Sequence, residues 1–472
     1  MKKISIFLFA IVATMFVTSC DQGFEEINID PNRPAEVPAN LLLGNTIRQT
    51  QGALYNIQQG GDMGICWAQH WSKVQYNDEE RYIPRRGAID GVWSTLYTGV
   101  IFDAKLMETL AVKEGNTNLQ GVSLIIQANA FQMLTDLFGP VPFSEAGVKG
   151  NLKPKFDSQE QVYDGVLAML TKADALLASG SGEVSAAGDI IFSGNVAKWR
   201  KFANSLKLKA LMRISDKRNV NAELQALVSS GNLMTSNADS ANVTNIAASG
   251  AQNVTFVGLV GREEYKVSSV LVASLNALSD PRLAVFAAPI AGGSFVGNVP
   301  GDESADFSGK SGLGSFYRNE VFPGVLLSYA QVQLYLAEAA VEGKISGGLV
   351  SSQTYFKKGV TANFEFNGLS VTDANTYLTN PTLNYTDAAT GSPIIGNQMW
   401  LALYCQGFEA WTEWRRTKYP ALSPVLDPGV PSIPSRLFYS TVSETTNQVN
   451  FAAAVSSIPG GNELTSKVWW ML

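Results

Sequence analysis

The sequence predicts a mainly α-helical protein in which tetratricopeptide-like helical hairpins form a superhelix, with long irregular loops and a few short strands. Three observations predict it. Apolar residues recur at steps of three and four through most of the chain, the period of a helix with one buried face. Strand-like text is confined to short pieces such as Asn253–Gly258. The helical stretches also follow one another in pairs across short joints, as stacked hairpins do, although no strict repeat of about 34 residues is visible.

The chain opens with Lys2 and Lys3, an apolar run from Ile4 to Val17, and then Thr18-Ser19-Cys20. A run this short behind a basic front reads as a secretory signal peptide over 1–19, and a cysteine after small residues as the acylated first residue of a lipoprotein. Several acyl chains on Cys20 would hold a body to a membrane, since each buried methylene contributes roughly 0.8 kcal/mol. Residues 20–37, acidic and interrupted by Pro31 and Pro34, read as a flexible, lipid-anchored tether. No later stretch reaches the roughly 18 consecutive apolar residues of a spanning helix. From 38 to 472 no Pro/Ser-rich linker or charge block divides the chain, so a single helical domain is expected.

Within that domain helices are expected at Leu41–Gln59, Met63–Gln75, Gly91–Lys113, Leu119–Phe138, Gln159–Ala178, Val196–Ser215 and Ala222–Ser229. Ser158 and Gln161 form a capping box ahead of the fifth of these. Gly139, Pro140 and Pro142 stop the helix that ends at Phe138. Further helices are expected at Lys266–Leu278, Pro323–Gly343, Ser351–Phe366 and Asn397–Lys418. The last carries Trp400, Tyr404, Phe408, Trp411 and Arg415 along one stripe, which reads as core packing, and Tyr419-Pro420 ends it. Long loops are expected at Ala178–Asn195, Met234–Glu263, Ala288–Tyr317, Asn380–Asn397 and Leu422–Gly461.

Composition and chemistry narrow the function. The formal net charge is −6, and −8 once Lys2 and Lys3 leave, which lacks the basic footprint of a nucleic-acid binder. His70 is the only histidine, so a multi-histidine metal site is excluded. Cys66 and Cys405 lie in apolar helical text and read as buried free thiols rather than a bridge. Ser304 stands where a phosphate loop needs its first glycine, and no Gly-x-Ser-x-Gly elbow occurs. Glu409 and Glu413 have a spacing that could serve a glycosidase, but on a core-facing helix they are expected to pair with Arg415 or Arg416. Asp302, Glu303 and Asp306 could hold a calcium ion, against the plainer reading of a solvated acidic loop.

One cluster interleaves aromatic and polar side chains: Trp71, Tyr76, Asn77, Asp78, Arg81 and Tyr82. Sugar rings lay their C–H faces on flat aromatics while amides, carboxylates and guanidinium groups bond the hydroxyls, so these residues are candidates for a ligand face. Their competing role is hairpin core. Phe316, Tyr317 and Arg318, which end the Gly/Ser-rich loop Ala288–Tyr317, are candidates too, because binding concentrates on loops held by rigid elements.

Thr135–Ala146 (TDLFGPVPFSEA), Gly407–Leu422 (GFEAWTEWRRTKYPAL), Gly460–Trp470 (GGNELTSKVWW) and the opening Asn28-Ile29-Asp30-Pro31-Asn32-Arg33-Pro34 occur in the order seen in one family. The chain resembles the SusD/RagB-like outer-membrane lipoproteins of Bacteroidetes over essentially its whole length. The resemblance implies an outer-membrane, cell-surface body that binds an oligosaccharide or peptide on a shallow aromatic surface. It also implies delivery of that nutrient to a SusC-like TonB-dependent β-barrel transporter, with no cofactor and no catalysis. The rival readings are a surface glycosidase and an adhesin-like lipoprotein that takes no small ligand.

Overall fold

The helices that dominate the sequence pattern pair off in chain order. In the computed structural model, which describes residues 37–472, the first is α1 (Asn40–Tyr55). A π-helical stretch Ile57–Ile65, started by the Asn56 side chain accepting from Gln58 N, leads to strand β1 (Trp71–Lys73). Then α2 (Arg86–Ser94) runs through a π-helical stretch, Thr95–Ile101, into α3 (Phe102–Lys113). Next come α4 (Thr117–Phe138), α5 (Gln159–Ser179), α6 (Val196–Ile214) and α7 (Asn221–Ser230). A mixed stretch holds β2 (Ala241–Val243), α8 (Val254–Leu259), β3 (Tyr265–Val267), α9 (Ser269–Ala277), α10 (Leu283–Phe286) and β4 (Gly324–Leu327). Helices α11 (Tyr329–Val341), α12 (Gly348–Phe366), α13 (Val371–Tyr377), α14 (Ala388–Ala402) and α15 (Phe408–Thr417) follow, with α16 (Thr441–Thr446) and α17 (Gln448–Ser456) last.

Successive helices α3 to α6 pack on one another, as do α11 and α12, and α6 meets α11. The hairpins are antiparallel. Gly121 near the start of α4 faces Leu177 near the end of α5, so closely that a Cβ on Gly121 would stand 2.9 Å from the Leu177 Cγ. Asp174, late in α5, takes hydrogen bonds from Arg200 and Asn204, early in α6. The expected helical-hairpin architecture is therefore present, and residues 39–472 form one compact unit.

An ionic ladder crosses the hairpin core. Arg213 of α6 lies 2.6 Å from Glu409 and 3.3 Å from Glu413 of α15, and Arg416 joins Glu413 to Glu338 of α11 at 2.5 and 2.6 Å. Arg213, Glu413 and Glu338 are buried, which is stable only because each charge is paired. Arg415 departs from the expected carboxylate pairing. It donates to the Ser435 and Asp136 carbonyls and to Thr412 Oγ1, and its guanidinium lies 3.9 Å from the Trp411 ring centroid. Burial without a paired acid lowers its pKa to about 9.

A second, smaller core is aromatic and gathered from distant segments. Trp71, Tyr265, Phe286, Tyr317, Phe322, Trp400 and Tyr404 meet there with Cys66 and Cys405, both free and buried as expected. Phe286 and Tyr404 stack at 4.1 Å and 7°. The Tyr404 hydroxyl accepts from Trp71 Nε1 at 3.1 Å and donates to the Phe286 carbonyl at 2.8 Å. His70 is buried 4.6 Å from the Trp400 ring, and loss of water around its cation takes its pKa down to about 3.

Several expected elements change. Asn253–Gly258 is a helix, α8, because the Asn253 side chain caps it by accepting from Phe256 N. Met63–Gln75 is not one helix: after residue 65 the chain turns into β1, which pairs antiparallel with β3. Lys266–Leu278 and Pro323–Gly343 each begin as a strand and become helical behind a capping serine, Ser268 and Ser328. The loop expected at Asn380–Asn397 holds the start of α14, capped by Asp387 and running through Pro393, and Leu422–Gly461 holds α16 and α17. The expected helix Asn397–Lys418 breaks at Cys405 and Gly407, both left-handed. A Cβ on Gly407 would stand 2.0 Å from the Leu54 carbonyl oxygen, so the close approach of α1 dictates both the glycine and the break.

Among the described residues no helix is long and apolar enough to cross a membrane. The signal peptide 1–19, the anchor Cys20, the opening motif 28–34 and nearly all of the tether 20–37 lie outside the described residues.

Candidate ligand-binding surface

Strands β1 and β3 pair Trp71 with Val267 and Lys73 with Tyr265, and fix the base of a three-loop surface. From β1 the chain turns tightly through 74–86, with Arg81 N bonded to the Asn77 carbonyl and Ile83 N to that of Asp78. Tyr76 and Tyr82 both take positive φ, +56° and +69°, uncommon for a bulky side chain and a mark of a backbone fixed by its surroundings.

Those surroundings are two further loops. Asn77 Nδ2 donates to the Gly301 carbonyl at 2.9 Å, Tyr76 N to Glu303 at 3.3 Å, and Ala305 N to the Val74 carbonyl at 2.9 Å. Arg81 Nε donates to the Asp427 carbonyl at 2.9 Å, Val425 N to the Tyr82 hydroxyl at 3.1 Å, and Leu426 N to the Pro300 carbonyl at 2.8 Å. Residues 74–86, 299–307 and 423–429 are thus stitched into one platform.

A carboxylate sits under it. Glu80 is fully buried and accepts from Lys73 N at 2.7 Å and Gly301 N at 2.9 Å, and burial raises its pKa to about 7. Beside it Lys73 pairs with Asp62 at 3.2 Å, Tyr265 donates to Asp62 at 2.6 Å, and Arg85 bonds Glu79. Burial also raises the Asp62 pKa.

The expected site residues divide. Tyr76 is 65% exposed, Asp78 is exposed, and Arg81 is partly exposed, so these three stand on the platform together. Three others are corrected. Trp71 lies in the aromatic core, Asn77 is buried as a loop tie, and Tyr82 is buried edge-on to Trp67 with its hydroxyl used on Val425. The loop 288–317 does contribute to the surface, but through Val299 and Phe307 rather than its end. Tyr317 is buried and donates to Asn367, Phe316 packs edge-on against Phe322 and Phe366, and Arg318 pairs with Glu263 at 3.2 Å. Asp302, Glu303 and Asp306 do not converge. Glu303 and Asp306 are spent on the backbone of Tyr76 and Gly309, and among the described residues no three His, Cys, Asp or Glu groups could hold a metal ion.

Sequence reasoning missed Ile83, Val299, Phe307 and Leu426, exposed apolar side chains borne by the same three loops. No periodicity marks them, since they are scattered over three irregular segments. The surface is partly apolar, and carries the Asp78 carboxylate and the Arg81 guanidinium beside the exposed Tyr76 ring. It can hold a flat, hydroxyl-bearing molecule by its face and edges.

The SusD-like profile described as starch-binding, associating with the outer membrane, matches residues 31–440. The chain belongs to the SusD-like family. No curated protein matches it. A solved chitin-binding protein is similar at 26% identity and TM-score 0.82, covering 92% of this chain and 100% of that one. A SusD homologue from Bacteroides fragilis (24% identity, 92% and 99% covered, TM-score 0.79) shares the fold. So does a chitin-binding SusD homologue from Flavobacterium johnsoniae (22% identity, 92% and 97% covered, TM-score 0.78). The SusD-like membership agrees with the family resemblance of the sequence motifs, and the solved relatives share its helical architecture.

Proposed function

We propose that this SusD-like protein binds an oligomeric glycan at the cell surface, through the three-loop platform, and passes it to a SusC-like TonB-dependent β-barrel transporter. The observation that carries the reading is Tyr76, a ring held out at 65% exposure on a backbone pinned by Glu303 and Asn77, beside Asp78 and Arg81. The family description and a chitin-binding relative support a glycan as the ligand. Cys20 carries the lipid anchor in this reading, and no bond is made or broken. The carboxylates that could have served a glycosidase support the last point: Glu409 is held by Arg213 and Lys209, and Glu413 by Arg213, Arg416 and Tyr335.

The test is calorimetric titration with maltohexaose, hexa-N-acetylchitohexaose and a peptide panel. Binding of a hexasaccharide, weakened at least about tenfold by Tyr76→Ala, is the expected result. Silence toward every glycan sinks the reading, and binding confined to peptides redirects it. Transfer is tested by co-purification from detergent-solubilised membranes, where a β-barrel partner is expected and recovery of this chain alone counts against it.

A further inference from the structure

A groove of about 310 Å³ opens beside α9 and α14, lined by Leu278, Leu383, Ile394, Leu401, Trp400 and Pro420. Across Leu278 it continues into a trough of about 560 Å³ beside α13, where Ser279, Thr376, Thr379 and Asn380 stand. Both volumes fall within the roughly 300–1,000 Å³ of small-molecule sites.

The walls are braced from behind by one cation. Arg282 is fully buried and grips Asp280 through Nε and Nη2 at 2.6–3.1 Å. It also donates to Asn363 at 2.7 Å and to Gln398 at 2.8 Å, and Gln398 donates to the Tyr377 hydroxyl at 2.8 Å. The wall bearing Leu278 and the wall bearing Tyr377 and Gln398 are therefore tied to a single guanidinium. The groove is formed before any ligand arrives.

The lining selects by charge. Among the described residues neither the groove nor the trough has a Lys, Arg or His in its wall, and Asp373 is the only carboxylate there. An anionic ligand would meet no counter-charge. What the walls present instead is apolar surface edged by neutral hydrogen-bonding groups on Ser274, Thr382 and Asn397, and Asn397 is exposed. That combination suits the C–H face and the hydroxyl or acetamido groups of an uncharged sugar. The segment that lines the groove at Pro420 reaches the three-loop platform at Leu426, six residues on and so no more than about 20 Å away. A ligand of oligomeric length can touch both.

We infer that the groove is a second binding site, taking a neutral saccharide unit of the same oligomer that the platform grips; this rests on the glycan-binding reading above. Two sites on one chain favour long glycans over short ones, because the second contact is made at high local concentration.

The test uses whichever of maltohexaose or hexa-N-acetylchitohexaose binds the wild-type protein, read by calorimetry and by hydrogen exchange. Ligand should protect peptides within 373–401 as well as 74–86. Ser274→Trp or Asn397→Arg, at groove-edge positions that are not buried, should weaken the hexasaccharide about tenfold and abolish protection at 373–401, while protection at 74–86 persists. Protection confined to 74–86, with both groove variants binding as wild type, overturns the second site and leaves the platform reading standing. Silence of the wild type toward both hexasaccharides overturns the two together, and tighter binding of an acidic galacturonate hexamer through the groove overturns its neutrality.

Discussion

The hairpin core and the loop-built aromatic core bury comparable chemistry by unlike means. In the first, α3 to α6 and α11 to α12 supply apolar stripes from contiguous helices, and the ladder Arg213–Glu413–Arg416–Glu338 locks α6, α11 and α15 together. In the second, segments near residues 71, 265, 286, 317 and 404 bring the rings together, and Tyr404 contacts both Phe286 at 4.1 Å and Tyr317 at 4.7 Å. A helix in the first core keeps much of its own hydrogen bonding if a neighbour loosens. A loop in the second is fixed only by its partners. That dependence makes the aromatic core the anchor of the binding platform, because β1, paired with β3, runs from it directly into residues 74–86.

The contrast can be broken by mutation, starting where the effect is largest. Trp411→Ala removes a fully buried ring that packs on Trp67 at 5.0 Å, supports Arg415 and donates to the Pro434 carbonyl. It should cost on the order of 3–5 kcal/mol in chemical denaturation, with one global transition. A loss below about 1 kcal/mol would mean the hairpin core is not held as described.

Next is Glu80. Its pKa is raised from an ordinary 4.5 to about 7, chiefly by burial, so folding favours the protonated form. The stabilisation it gives is complete below about pH 4.5 and is lost as pH rises through about 7. At about 1.4 kcal/mol per pH unit this is on the order of 3 kcal/mol. Glu80→Gln should flatten the stability profile across that window, and protection factors in 74–86 and 299–305, taken against intrinsic exchange at each pH, should vary less with pH; an unchanged slope would refute the assignment. Tyr404→Phe comes third, losing the donor to Phe286 and the acceptor for Trp71 at about 1–3 kcal/mol. Faster exchange should appear in the platform loops before the hairpins; a uniform change would erase the distinction drawn between the cores. Smallest in stability is Tyr76→Ala, within about 0.5 kcal/mol because the ring is exposed. Its effect belongs to binding, and a large loss of stability would contradict the placement of the ring.

The two regions also differ in how far the sequence discloses them. Helices α4, α5, α6 and α12 lie close to where their apolar spacing puts them, and the Ser158–Gln161 capping box is present. Three-to-four spacing is a local signal, and there it meets local structure. It misled where a tertiary neighbour decided the backbone. Leu54 dictates the break at Gly407, and β3 draws residues 71–73 out of the expected helix. The candidate site shows the same limit. Tyr76, Asp78 and Arg81 were visible as an aromatic–polar cluster, whereas burial of Trp71 and Tyr82 depended on rings more than 100 residues away in one case and a neighbouring turn in the other. Phe307 is held through its carbonyl by the Lys266 side chain, and Leu426 through its amide on the Pro300 carbonyl, ties that local sequence does not show.

The thiols of Cys66 and Cys405 are both buried in the aromatic core, and burial raises their pKa well above the usual range. Cys20 is the only other cysteine. A Cys20→Ser form therefore carries two sulfurs that alkylating reagents can reach only when this one region breathes. The molecule holds its own clock for that motion, and counting modified chains by mass over time would report how often the anchor of the platform lets go.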